Sequence, residues 1–112
     1  MPAADENNSI EVKDGRKRQF GVVYRNHIDR DDFRALSPST RLVYFALLTF
    51  VGRADQQAWP KVSRLARMVG ASERTVWRAI KSLESAGYLT IGKKWYNRAR
   101  RVNLYTLTDP DE

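Results

Sequence analysis

The sequence predicts a mainly α, α+β domain: a three-helix core closed by a C-terminal two-stranded β-hairpin. Three observations carry this. Apolar residues recur at helical spacing in three separate segments, at Leu42–Val51, Val62–Val69 and Val76–Leu83. The last two are separated only by Gly70-Ala71-Ser72. After Gly87 the period changes to that of strands, at Tyr88–Ile91 and again at Val102–Thr108.

The chain has 112 residues, the size of one domain with a modest core. At 42% hydrophobic it is not a disordered protein. It has no cysteine, which excludes a disulfide framework and a thiolate metal site. Its single histidine, His27, cannot build a zinc site alone. The longest apolar run falls well short of the roughly 20 residues of a membrane span. The start, MPAADENNSI, lacks the pattern of a secretory signal. These features lead to the expectation of a cytoplasmic protein with no cofactor and no membrane contact.

Elements follow in order. Residues 1–19 are polar and turn-rich and are expected to form a flexible arm. Its basic end, Lys13 to Arg18, either is solvated or reaches a phosphate strand or minor groove. Phe20–Tyr24 is aromatic and β-branched, expected as a short strand or extended segment packed on the domain. Asp29–Leu36 is expected to hold a short helical turn. Ser37-Pro38 is a helix start, an N-cap followed by proline at the first helical position. That helix is apolar on most sides and is expected to be central and buried, ending at Gly52. Trp59 is expected to add a short strand before Pro60, which opens the next helix. Ser72 caps a third helix, 72–86, with Gly87 at its end. The expected domain spans 20–108, with 109–112 as an acidic solubilising tail. Phe45, Leu47, Phe50, Leu65, Val76, Ile80, Leu83, Leu89 and Tyr105 are the expected core.

Two amphipathic helices joined by so short a turn must cross steeply and share one core. That is a helix-turn-helix layout, whose second helix is offered to a major groove. Opposite Val76, Ile80 and Leu83 lie Arg74, Arg78 and Lys81, expected without a balancing acid. Charge is concentrated on the same part of the chain. Residues 59–108 hold eleven Lys/Arg against two Asp/Glu, whereas residues 1–58 are nearly neutral at +1. A surface of one sign suits a polyanion. The hairpin tip, GKKWYNRARR, adds Lys93, Lys94, Arg98, Arg100 and Arg101 with Trp95 and Tyr96. Its cations suit phosphate or minor-groove contact. Its aromatics are suited to insert, to stack, or to form a small hairpin core. Aromatics among cations also fit single-stranded DNA or RNA. Lys61, Ser63 and Arg64 open the second helix, where free N–H groups favour a phosphate. Trp77 either folds against the hairpin or stands exposed for thymine methyls or a partner.

The pattern LARMVGASERTVWRAIKSLESAGYL resembles a winged helix-turn-helix. It is similar to the DNA-binding modules of GntR-type repressors, and more so to winged-helix modules of plasmid and phage replication proteins. There a helix like SPSTRLVYFALL comes first, and the hairpin closes with a Tyr-x-Leu like Tyr105-Thr106-Leu107. The resemblance implies DNA contact through Lys61, Ser63, Ser72, Arg74, Thr75, Trp77, Arg78 and the wing, 92–101. Glu73 departs from it: its carboxylate is repelled by phosphate but suited to cytosine N4. The implied role is sequence-preferring binding of double-stranded DNA in replicon control or transcriptional regulation. A homodimer and a replication or regulatory partner protein fit that role. The rival readings are a winged helix that binds protein in a nucleoprotein or partition assembly, and a single-strand binder. With no nucleophile, metal cluster or phosphate loop, no enzyme is expected.

Overall fold

The computed structural model describes residues 21–52, 55–98 and 100–110. The expected N-terminal arm, Phe20 and the last two acids lie outside them. Among the described residues there are five helices and three strands. In chain order they are α1 (Arg25–Ile28), α2 (Asp31–Arg34), α3 (Pro38–Leu48), β1 (Gln57–Ala58), α4 (Val62–Val69), α5 (Glu73–Ser85), β2 (Leu89–Asn97) and β3 (Arg100–Leu107). The three-helix core is α3, α4 and α5, with α5 packed on both of the others.

α3 begins as its sequence dictates. The Ser37 hydroxyl accepts the Thr40 backbone N–H at 3.1 Å, and Pro38 stands at the first turn. Val43, Tyr44, Leu47 and Leu48 are buried. Two expectations fail here. Phe45 is 36% exposed and Leu42 51% exposed, because they sit three apart on the side that α4 and α5 leave uncovered. The helix ends at Leu48, not Gly52. Backbone bonds Thr49 N–H to Ala46 O and Phe50 N–H to Leu47 O tighten the last turn. The Gly52 carbonyl instead accepts from Gln56 N–H, and its N–H donates to Gln57 O, which starts β1.

α4 ends where Gly70 adopts φ 71°, a left-handed conformation suited to glycine. Two residues later Ser72 caps α5, accepting the Thr75 N–H at 3.1 Å. α5 buries Val76, Ala79, Ile80 and Leu83. Gly87, at φ 88°, turns the chain out of α5 and into β2.

The sheet has order β1-β3-β2, antiparallel throughout. Its third strand is the short strand expected at Trp59, which forms just before that residue, at Gln57–Ala58. β2 and β3 also run farther than expected, up to the Asn97–Arg100 pair, with an irregularity between Trp95 and Asn97. The basic segment expected as a loop is therefore mostly paired strand. Ladder hydrogen bonds outweigh the weak strand preference of lysine and arginine.

The N-terminal elements are pinned to the end of α5. The Tyr88 hydroxyl, fully buried, donates to the His27 carbonyl oxygen at 2.9 Å, with the Asp32 carboxylate 3.3 Å away. Phe33, Tyr44 and Tyr88 meet edge to face, with centroids 5.3 to 5.6 Å apart. Burial pushes the Tyr44 phenol up to about 12. The expected strand at 20–24 is absent from its described part. Gly21–Tyr24 is irregular, and Val22, Val23 and Tyr24 are exposed. Gly21 lies so close to α3 that a Cβ there would stand 2.6 Å from the Leu48 carbonyl oxygen. His27 is 8% exposed and pairs through Nε2 with Asp109 at 3.3 Å, not with the adjacent Asp29. Asp109, expected in a solubilising tail, thereby touches the folded core.

Candidate nucleic-acid interface

The outward face of α5 carries Arg74, Trp77, Arg78, Lys81 and Ser85. Arg74 and Arg78 are one turn apart and point the same way. Among the described residues neither makes an ion pair. Lys81 does: its Nζ lies 3.3 Å from Glu84 Oε1, which corrects the expectation that this face lacks a balancing acid. The pair is three residues apart, close enough for the Glu84 carboxylate to reach outward from the core edge. Trp77 stands 39% exposed between the two arginines in sequence.

Ser72 and Thr75 are first of all capping groups. Ser72 Oγ accepts from Thr75 N–H and donates to Thr75 Oγ1 at 2.9 Å. That arrangement leaves the Thr75 hydroxyl proton free for an outside acceptor. The cap also fixes the first turn of α5, and hence the direction of Arg74.

α4 opens with Lys61 at its N-cap and no side-chain cap, so its first backbone N–H groups face outward unclaimed by a side chain. Lys61 and Ser63 are exposed beside them. The Arg64 guanidinium lies over the Phe50 ring at 5.4 Å, turned toward the end of α3. Arg67, left out of the sequence reading, is also exposed on α4. The same helical wheel places it with Ser63 and Arg64, opposite Leu65 and Val69.

The wing is two-faced, because successive strand residues alternate. One face runs outward through the pairs Leu89–Leu107, Ile91–Tyr105, Lys93–Asn103 and Trp95–Arg101. On it the Lys93 ammonium donates to the Asn103 carbonyl oxygen, and Asn103 Nδ2 donates to the Tyr105 hydroxyl at 3.3 Å. The Arg101 guanidinium lies over the Trp95 ring at 5.5 Å. On the other face the Lys94 ammonium sits 3.4 Å from the centre of the Trp59 ring. Trp59 thus ties the start of α4 to the middle of the wing. Asn103 and Trp59 had no place in the expected site, since only the strand register brings them there. Arg98 and Arg100 are exposed at the turn. The Tyr96 side chain lies outside the described residues.

The site so built is convex: an exposed helix face flanked by a basic hairpin. A groove of about 1200 Å³ lies elsewhere and is lined by Tyr24, His27, Tyr44, Phe50, Leu107 and Asp109 among others. No described helix is long and apolar enough to cross a membrane.

Three core helices, a tight turn between the second and third, and a hairpin after the third define a winged helix-turn-helix. The chain belongs to the helix-turn-helix domain family, whose model matches residues 34–89, half of its length. No curated protein sequence matches it significantly. Among solved structures it is similar to one described as the N-terminal domain of a DNA binding protein, at a TM-score of 0.57 and 16% identity. That likeness covers 94% of this chain and 86% of the other, and it shows a common fold.

Proposed function

We propose that this protein binds double-stranded DNA with some sequence preference, as a regulator of transcription or of a replicon. In this reading α5 enters the major groove and the wing follows the backbone or minor groove. The observation that carries it is the pair Arg74 and Arg78: exposed, one turn apart, and without a carboxylate partner among the described residues. Guanidinium forks match phosphate and the guanine edge. Lys61, Ser63, Thr75, Trp77, Lys93, Lys94, Arg98 and Arg100 flank the contact. The role is binding, not catalysis. One such helix reads few base pairs, so a homodimer on a repeated or palindromic site completes the reading, in the cytoplasm and beside a replication or regulatory partner.

The test is fluorescence anisotropy on a 30-base-pair duplex over a series of salt concentrations. Wild-type affinity is expected to fall steeply as salt rises. The variant Arg74→Ala/Arg78→Ala is expected to lose about 2 to 6 kcal/mol of binding free energy, at about 1–3 kcal/mol per contact. Its melting temperature should match wild type. A wild-type protein that ignores duplex DNA even at low salt overturns the reading.

A further inference from the structure

We infer that Trp95 and Arg101 form a stacking platform for an unstacked nucleobase, so that the protein prefers a duplex carrying such a base to a fully stacked one. The inference rests on the duplex-binding reading above and adds a second, chemically different contact to it.

Trp95 is the most exposed of the large apolar side chains described, at 60%. It is not part of a wing core. On its face of the sheet the apolar packing ends at the Ile91–Tyr105 pair, and the polar Lys93–Asn103 pair intervenes. At about 3.3 Å per residue, Trp95 stands roughly 13 Å beyond Ile91 along the strand. No buried element reaches it. It is nevertheless held by a paired strand, opposite Arg101, whose guanidinium leans on the ring. A rigid indole costs less entropy to use than one on a loose loop. Its surroundings are cationic, with Lys93, Arg98 and Arg100 nearby in the hairpin. The Lys94 ammonium is directed to the opposite face, onto Trp59. The chemistry that fits an open indole edged by a guanidinium is a flat, electron-rich ring attached to a phosphate chain: a nucleobase. α5 has its own route to stacked duplex, so the platform acts where a base has left the stack, at a bulge or a kinked step.

The test compares three fluorescein-labelled probes by anisotropy: a 30-base-pair duplex, the same duplex with one unpaired adenine, and the single strand. Wild type is expected to bind the bulged duplex on the order of tenfold more tightly than the intact one. Trp95→Ala should erase that preference, so that the variant binds the bulged and the intact duplex equally. Trp95→Phe should keep part of it. In a Trp59→Phe/Trp77→Phe background, the fluorescence of Trp95 should be quenched by the bulged duplex. Equal affinity of wild type for both duplexes, or a preference that survives Trp95→Ala, overturns the platform. Tightest binding to the single strand overturns its action within a duplex. Failure to bind any probe at low salt overturns the DNA reading and this inference together, an outcome distinct from the others.

Discussion

Arginine serves different ends in the two halves of this chain. In the N-terminal half, Arg30 reaches Asp32 through two hydrogen bonds, at 2.8 and 2.9 Å. Arg34 reaches both Asp29, at 3.1 Å, and Asp31. Those guanidinium groups are answered within a turn of chain. On α5, among the described residues, Arg74 and Arg78 have no such answer, and Lys81 is paired with Glu84. Both regions are rich in cations, yet their fields differ. A paired surface charge contributes about 0–1 kcal/mol and projects little outward. An unpaired row projects a field that draws a polyanion. Pairing therefore sets the proposed interface apart better than net charge does.

The comparison can be broken by giving Arg78 the partner it lacks. Ser82 lies four residues on, beside Arg78 and Lys81 in one shallow depression on α5. Ser82→Glu places a carboxylate within reach of Arg78 and an anion opposite the phosphates. Two favourable contacts are then affected at once, so duplex affinity is expected to fall about ten- to a hundredfold. Stability should move by no more than about 0.5 kcal/mol. A titration of the variant beside wild type, with thermal melts, checks both. Unchanged affinity would mean that the unpaired row is not where DNA lies.

Much of this arrangement was legible in the sequence, and the reasons differ by element. The two helices and their turn were legible because the signal is local. Apolar spacing sets a face, Gly70 ends a helix, and Ser72 begins one. The caps at Ser37 and Ser72 were read correctly for the same reason. What depends on distant neighbours was not legible. Phe45 and Leu42 have the spacing of core residues, but nothing in the sequence says which side of α3 receives a neighbour. His27 finds Asp109 across most of the chain. The short strand expected at Trp59 forms just before it, at Gln57–Ala58, where pairing with β3 places it. In the wing, the strand register alone pairs Trp95 with Arg101 and brings Lys94 to Trp59. The Lys81–Glu84 pair was within reach, since residues three apart on a helix are neighbours, but Glu84 is half-buried and its backbone position alone does not show its carboxylate reaching outward.

The two serine caps sharpen the comparison, because the same S-x-x-T device appears in both halves. Ser37 Oγ lies 2.8 Å from Thr40 Oγ1, and Ser72 Oγ lies 2.9 Å from Thr75 Oγ1. Thr40 is buried at 5% exposure, whereas the Ser72 cap is solvent-facing. Ser37→Ala strands a buried hydroxyl as well as an N–H and should cost about 1–2 kcal/mol in urea unfolding. Ser72→Ala should cost about 1 kcal/mol or less. Binding should rank the other way. Loosening the first turn of α5 displaces Arg74, so Ser72→Ala should weaken duplex binding several-fold while Ser37→Ala leaves it unchanged. If both variants affect binding equally, capping of α5 has no special part in aiming its arginines.

The smallest effect concerns the paired half, where the hydrogen bond from Arg30 holds the Asp32 carboxyl below the usual carboxylate range. A depressed folded-state pKa means that the ionised form is favoured by folding. The resulting stability is present above the unfolded value, near pH 4, and is lost as pH falls through the lower folded value. Asp32→Asn should therefore melt slightly below wild type at neutral pH. The gap should close as pH falls through the lowered folded-state value, where the wild-type carboxyl is also protonated. Both residues are open to solvent, so the gap will be small. Its value lies in what happens to DNA. Asp32→Asn removes the carboxylate that answers Arg30 and makes this surface one charge more positive. If duplex affinity stays within about twofold of wild type, α1 and α2 stand apart from the interface, and added positive charge needs the recognition helix beneath it to matter. If affinity rises well beyond the twofold attributable to one added charge, the aspartates of α2 are masking a basic surface, and the two halves differ only in what covers them.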